Sequence, residues 1–277
     1  MRIAMSKPEL YNQSNDLQRK TTLQYLSKYS KKMKWHEIED TAIDLGCGDG
    51  SVTSIVKNFA PCTFKNFVAC DINEEMVKFA SEHYGKEGIT FRKMDIEGNM
   101  PEDLVGVFNH VFSFYALHWV KNQNKAFSNI YNLLTDEGDC FMTFLGSTAI
   151  YDVYNALSKH PKWKTWLKNV DVFLCPYYDV KNPDKIVAEI MKECGFKNID
   201  VTCNNLTSVF PTIEELKNVV QSVEPFNMPP EVFNEFMEDY IAEGKKMGAV
   251  TIEVDSNNEV VSVAYDYCLV AIYGSKK

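Results

Sequence analysis

Residues 43–50 read IDLGCGDG: Asp44 closes a β-rich run, and Gly46, Gly48 and Gly50 follow at alternate positions before a helical pattern begins. Glycines there let the backbone turn tightly and come close to a ligand. The G-x-G-x-G spacing differs from the G-x-G-x-x-G of nicotinamide and flavin sites, which is built around a pyrophosphate. Asp49, standing in the turn, would repel a diphosphate. A second β-rich run ends in Asp71, placed to accept hydrogen bonds from both ribose hydroxyls of a nucleoside, with little tolerance for a 2′-phosphate. A third ends in Asp95-Ile96, a carboxylate that can take an exocyclic adenine amine beside an apolar side chain that can pack on the ring. The fourth ends in SFYALHW, 113–119.

These residues need a scaffold that brings successive strand ends together. From about residue 41, short β-rich runs (41–46, 67–72, 89–95, 110–117 and 139–145) are mostly apolar on both faces, as strands covered on both sides should be. Helix-period segments separate them. Val52, Ile55, Val56 and Phe59 share a stripe, as do Phe127, Ile130, Tyr131 and Leu134. Ile186, Val187, Ile190, Met191 and Cys194 repeat the pattern before Gly195, a helix stop. The alternation predicts parallel strands joined by crossover helices, an α/β doubly wound sheet. Residues 198–210 and 260–274 read instead as long strands forming an antiparallel pair at one sheet edge. VTIEV (250–254) is a further strand candidate before the turn residues 255–258.

The expected organisation is an N-terminal helical lid segment (1–40), a ligand-binding core (41–145), a lid insertion (146–182), a core helix and strand (183–210), a second helical lid insertion (211–249) and C-terminal core strands (250–277). The three lid pieces are helical in pattern, rich in aromatics, and suited to cover the carboxyl ends of the strands, where ligands of such sheets bind.

Composition narrows the function. The 277 residues are 45% hydrophobic and 24% charged, enough for a core without disulfide or metal staples. Twenty-nine basic against 38 acidic residues, a net charge of −9, argues against a nucleic-acid binder relying on bulk electrostatics and against adhesion to anionic membranes. No run of 18 apolar residues is present, so no transmembrane helix is expected. MRIAMSKPELYNQSNDLQRK lacks the apolar stretch of a secretory signal. The eight cysteines form no C-x-x-C pair, which disfavours a zinc site; Cys70, Cys140 and Cys268 sit in apolar runs and read as reduced core residues of a cytoplasmic protein.

D-x-G-x-G, an acid ending the second run, an acid ending the third, and LLTDEGD (133–139) before the fifth together resemble a class I S-adenosylmethionine-dependent methyltransferase. A closer resemblance lies in LYNQSNDLQR (10–19), IDLGCGDGSVT (43–53), FSFYALHWV (112–120), NIYNLL (129–134) and EGDCFMTFLG (137–146), continued in YDVYNALS (151–158) and KWKTWL (162–167). These are similar to the juvenile hormone acid methyltransferases over almost the whole chain, more weakly after about residue 200. The resemblance implies a Rossmann-like seven-stranded sheet, S-adenosyl-L-methionine as cofactor with S-adenosyl-L-homocysteine as product, and methyl esterification of a sesquiterpenoid acid such as juvenile hormone acid or farnesoic acid.

It also implies roles. Gln18 and Trp119 match the glutamine and tryptophan that hold the carboxylate in that family, with Tyr11 contacting or closing over the cofactor. Asp44, Gly46 and Gly48 fall to the methionine end, Asp71 and Ile72 to the ribose and adenine, Asp95 and Ile96 to the adenine, and Ser113 to a backbone carbonyl facing the amino group. A carboxylate acceptor, ionised at neutral pH with a reference pKa of about 4 to 5, needs no general base. His118 therefore orients a neighbour or lines the site. Phe114, Tyr115, Ile150, Tyr151, Tyr154, Trp163, Trp166, Phe173 and Phe226 are candidates for an apolar acceptor pocket, each also a natural lid-core residue. The alternatives are a methyltransferase for another small carboxylate, a fatty acid, or a nitrogen or hydroxyl acceptor; a silent S-adenosylmethionine-binding regulator; and a nicotinamide oxidoreductase, which the glycine spacing disfavours.

Overall fold

The computed structural model describes residues 7–277; residues 1–6, the start of the expected N-terminal lid segment, lie outside them. Eight strands form one sheet: β1 (Glu39–Leu45), β2 (Thr63–Asp71), β3 (Ile89–Lys93), β4 (Phe108–Phe114), β5 (Leu134–Thr148), β6 (Lys197–Phe210), β7 (Thr251–Val254) and β8 (Val260–Ser275). Their order is β3-β2-β1-β4-β5-β8-β6, and β7 pairs with β8 off this path. The first five strands are parallel. The last strand runs antiparallel to both neighbours, wedged between β5 and β6. This is the doubly wound sheet with antiparallel C-terminal strands that the alternation implied. Its order reverses between β1 and β4, the crevice where open α/β sheets bind ligands.

Helices α1 (Pro8–Ser14) and α2 (Asp16–Tyr29) form an N-terminal arm, and α3 (Ser51–Phe59), α4 (Glu74–Tyr84) and α5 (Gln123–Leu133) are crossovers. Lid helices α6 (Ala149–Ser158) and α7 (Val170–Phe173) follow β5, α8 (Pro183–Cys194) leads back into β6, and α9 (Ile213–Val223) and α10 (Pro230–Met247) complete the lid. The apolar stripes face inward where expected: Val52 and Val56, Phe127 and Ile130, Val187 and Met191 are all buried, while Ile186 at the stripe's margin is exposed. Gly195 ends α8 at φ 102°, a left-handed conformation open to glycine at little cost. Asn73, Thr148 and Thr212 cap α4, α6 and α9 with side-chain oxygens that accept backbone N–H groups.

Strand boundaries differ from expectation: β2 begins at Thr63 and β3 stops at Lys93, two residues before Asp95. β4 ends at Phe114, short of residue 117, because Tyr115 turns the chain at φ 54°, a conformation that no strand can continue. β5 runs from Leu134 to Thr148 because β8 pairs with it as far as Thr148. Against the two faces of the sheet, Phe108, Phe112, Phe127, Phe141 and Phe144 are fully buried. The lid has its own aromatic packing, in which Tyr154 meets Phe173, Phe226, Phe236 and Tyr240 with centroids 4.8–6.0 Å apart. Cys70 and Cys140 are core residues, whereas Cys268 is only half-buried and Cys203 is exposed on edge strand β6. Among the described residues no helix is long and apolar enough to cross a membrane.

Candidate functional site

The loop after β1 is shaped by its glycines. Gly46, Gly48 and Gly50 all have positive φ, at 78°, 54° and 82°. A Cβ on Gly46 would fall 2.2 Å from Ala116 Cβ, and one on Gly50 would fall 2.9 Å from Ala80 Cβ on α4. The first glycine thus lets the loop press against the end of β4, and the third lets α3 close on α4. The Cys70 carbonyl accepts from the N–H groups of Gly46 and Cys47, at 2.7 and 2.9 Å, which pins the turn to β2.

Beside this loop lies a cavity of about 160 Å³ at the carboxyl ends of β1, β2 and β4. Of the cofactor residues expected from sequence, Tyr11, Asp44, Gly46, Gly48, Asp71, Ile72, Asp95 and Ile96 line it. Its ionisable lining is five carboxylates, Asp44, Asp49, Asp71, Asp95 and Glu97, against one cation, Lys121. Lys121 is already engaged: its ammonium donates to the carbonyls of Leu174 and Asp171, at 2.6 and 3.1 Å, which clips α7 over the cavity. Val172 on α7 lines the same space.

Asp44 is 1% exposed. Its Oδ2 accepts from Thr53 Oγ1 at 2.6 Å, whereas Oδ1 has no partner among the described residues. Burial, reinforced by the nearby Asp71 charge, pushes its pKa up to about 6. Asp71 is also raised, by burial, although Gly48 N–H and Asn73 N–H each donate to it, at 3.0 and 2.8 Å. Ile72 N–H bonds to it as well, and the carboxylate's four lone pairs still exceed these three donors, leaving capacity for a ligand hydroxyl. An orphaned buried carboxylate oxygen, an acid at the end of β2 and a surplus of negative charge fit a cationic nucleoside bearing an amine. They do not fit a diphosphate. Asp49 plays a different part from the one its position suggested, since its carboxylate is taken up by Asn12, Asn15 and Ser51.

A second, smaller cavity of about 50 Å³ adjoins the first. Tyr11, Gln18, Tyr115 and Trp119 line both. The rest of its wall is His118, Leu145, Thr148, Ile150, Tyr151, Phe173 and Val223, with no Lys, Arg, Asp or Glu. Trp119 is half-buried on a short 3₁₀ turn, its ring 5.7 Å from Phe173. That turn is held by Gln123, whose amide donates to the carbonyls of Leu117 and Val120, at 2.8 and 2.7 Å. The Leu145 N–H points at His118 Nδ1 from 3.4 Å. That leaves the imidazole proton on Nε2. Burial, and secondarily the Lys121 charge, push the His118 pKa down to about 3. His118 is therefore a neutral donor at physiological pH and too weak a base to take a proton there.

Other expected site residues lie elsewhere. Ser113 lines neither cavity; it is fully buried, and its hydroxyl donates to the Leu45 carbonyl at 2.7 Å, tying β4 to β1. Alternation along β4 puts its neighbour Phe114 at the cavity instead. Tyr154 and Phe226 belong to the lid's interior packing. Trp163 does too, donating to Asp239 Oδ2 at 2.8 Å. Trp166, 38% exposed, faces away. The two tryptophans stand in a run of turns between α6 and α7 and not on a helix, and one points inward while the other points outward. Sequence reasoning missed Gln123 and also Asn129, whose amide donates to the carbonyls of Ile96 and Gly98 and holds the loop after β3. Both are single amides on α5; Asn129 opens the NIYNLL stretch, but nothing local shows that its amide reaches the loop after β3.

Residues 43–142 match the methyltransferase domain family. The chain is 45% identical to the juvenile hormone acid O-methyltransferase of Bombyx mori, covering 98% of each protein. It is 34% identical to the enzyme of the same name from Drosophila melanogaster, covering 98% of this chain and 93% of that one. Phosphoethanolamine N-methyltransferase 2 of Haemonchus contortus, solved with phosphomonomethylethanolamine and S-adenosylhomocysteine, shares the fold. Its TM-score is 0.60 at 15% identity, over 97% of this chain and 57% of that one.

Proposed function

The chain belongs to the juvenile hormone acid O-methyltransferase family and is an S-adenosylmethionine-dependent methyltransferase, and on that premise we propose that it converts a sesquiterpenoid acid, juvenile hormone acid or farnesoic acid, to its methyl ester. The observation that carries this reading is the common wall. An acid-lined cavity and an apolar, uncharged one meet across Tyr11, Gln18, Tyr115 and Trp119.

S-adenosylmethionine supplies an electrophilic methyl on a cationic sulfur. In this reading Asp44, Gly46 and Gly48 take its methionine end, Asp71 and Ile72 the ribose and adenine, and Asp95 and Ile96 the adenine. Asp44 Oδ1 takes the ammonium. Tyr11 closes over the loop at Gly48. The acid lies in the second cavity with its carboxylate at the common wall and its tail against Ile150, Tyr151 and Phe173.

The protein's work is then chiefly positioning, a large share of the barrier for an in-line displacement. Gln18, Trp119 and His118 offer an amide N–H, an indole N–H and an imidazole N–H. All three are neutral donors. They orient the anion while leaving its charge to attack the methyl, whereas an arginine would stabilise the ground state. The small cavity also strips water from the carboxylate, and a long tail requires the lid rings to part.

Incubation with radiolabelled methyl donor and a panel of farnesoic acid, its epoxide and saturated fatty acids tests the proposal. Label is expected in the methyl esters of the isoprenoid acids well above the fatty acids. A panel that stays unlabelled while the protein binds S-adenosylhomocysteine would sink it.

A further inference from the structure

One carboxylate joins the N-terminal arm to the cofactor loop. Asp49 is 1% exposed. Its Oδ2 accepts from Asn12 Nδ2 at 2.6 Å and Asn15 Nδ2 at 3.0 Å, with Arg19 Nη2 3.6 Å away. Its Oδ1 accepts from Ser51 Oγ and Ser51 N–H, at 2.8 and 3.2 Å. Asn15 donates again to Ser51 Oγ at 3.1 Å, and Arg19 Nη2 donates to the Asn12 carbonyl at 2.9 Å. Hydrogen bonds to an ionised acceptor are roughly twice as strong as neutral ones. The far end of α2 is held separately, by the buried Leu26 and by Tyr29 stacked 4.9 Å from Phe141. The start of α1 packs against α9, with Lys7 Nζ 3.9 Å from the buried Glu224, so the end of α1 and the near end of α2 are the parts that Asp49 fastens.

Asn12, Asn15 and Arg19 line neither cavity, but Asn12 and Arg19 each have a neighbour that does. Tyr11 precedes Asn12 and Gln18 precedes Arg19, and both line the two cavities. The Tyr11 ring stands 3.5 Å from where a Cβ on Gly48 would lie. The loop proposed to seat the cofactor and the residues proposed to meet the acid are thus fastened at a single point, within one turn of chain.

We infer that Asp49 is a positioning residue for methyl transfer. Through Asn12, Asn15 and Arg19 it couples the state of the glycine loop to the placement of Gln18 and Tyr11, so cofactor occupancy raises affinity for the acid. This rests on the reading of Gln18 as a carboxylate-binding residue. Such coupling is reciprocal, with the same factor from either side.

Calorimetry of farnesoic acid with and without S-adenosylhomocysteine tests it. In the unaltered protein the nucleoside should tighten acid binding by about tenfold. In Asp49→Asn, and separately in Asn15→Ala, that gain should fall below about twofold. KM for the acid should rise and kcat fall, while affinity for S-adenosylhomocysteine alone changes little. Moving the carboxylate across, in Asp49→Asn with Asn15→Asp, should restore part of the gain. Variants that keep the full gain overturn the inference, as does loss of nucleoside affinity in step with acid affinity, which would confine Asp49 to the cofactor seat. If Asp49→Asn does not fold, Asn15→Ala decides. If farnesoic acid binds nowhere, the functional reading fails instead. Hydrogen exchange over residues 8–18 in Asn15→Ala then settles the anchoring, with unchanged protection counting against it.

Discussion

Asp40 and Asp44 stand four residues apart on β1, both essentially buried, yet their carboxyls shift in opposite directions. Asp44, at the carboxyl end of the sheet, is raised to about 6 by burial and by Asp71. Burial would raise Asp40 as well, but His110, Cys62 and His36 all bond to it, and the net effect is a carboxyl held well below the usual range. His110 lies between two acids, its Nδ1 2.7 Å from Asp139 Oδ1 and its Nε2 3.1 Å from Asp40 Oδ2. The latter is an ion-pair contact without good hydrogen-bond alignment. Asp139 also accepts from the Lys34 N–H at 2.7 Å. One end of the sheet therefore has its carboxylates bonded internally and contributes to stability. The other end keeps an unmatched carboxylate, which costs stability until a cationic ligand arrives.

The largest expected effect lies at the matched end. His110→Leu strands two buried aspartates, and removing one partner of a buried pair costs about 3–5 kcal/mol. Urea denaturation should show a loss of that order with nucleoside affinity unchanged; a loss under about 1 kcal/mol would mean that His110 is not the balancing charge. Asp44→Asn should do the reverse. Losing a hydrogen bond to a charged group, about 1.5–3 kcal/mol, weakens S-adenosylmethionine binding by roughly 10- to 100-fold, while the melting temperature holds or rises. Weakened binding together with a fall in melting temperature would put Asp44 on the stabilising side after all.

Gln18→Ala and Trp119→Ala probe the common wall. Each removes one neutral donor, so turnover should fall by about tenfold or more with cofactor affinity kept. Affinity collapsing with turnover would move these residues out of the acceptor site.

The smallest effects come from pH, and their signs are opposite at the two ends. An ammonium bound at Asp44 favours its ionised form. Cofactor affinity should hold above pH 6 and weaken as pH falls below it, by at most about tenfold per unit. His110 titrates the other way. Burial would lower its pKa, but Asp139 and Asp40 bind its charged form and raise it overall. The stability it contributes is complete below its unfolded value of about 6.5 and is lost as pH rises through the folded value. Asp40, being depressed, contributes above its unfolded value of about 4 and loses that contribution as pH falls through the folded one. The melting-temperature gap between the unaltered protein and His110→Leu should therefore be widest between roughly pH 4 and 6.5 and narrow above that range. A gap that widens in alkali would contradict the assignment.

Much of the cofactor side was legible in the sequence. Asp44, Asp71 and Asp95 sit at or just past the ends of consecutive parallel strands, and in such sheets those ends converge on one crevice. The lid was less legible. An aromatic at helical spacing shows that a face is buried but not whether it abuts a ligand or another helix. Hence Tyr151 and Phe173 reach the second cavity while Tyr154 packs on Phe226 and Trp163 on Phe236. The His110 cluster carried no local signal, because its two acids lie 70 residues before and 29 residues after the histidine and meet it only when β1, β4 and β5 align.

The order of residues along the chain was enough to determine the alternation of strands and helices, the glycine turn and the acids that follow it, since strand geometry delivers those groups to one edge whatever else the fold does. Which carboxylate finds a partner was decided only in three dimensions. An ionised group's energy depends on what stands within a few ångströms of it, and for Asp40, Asp44 and Asp49 those neighbours come from distant elements: His110 from β4, Asp71 from β2 and Asn15 from the arm.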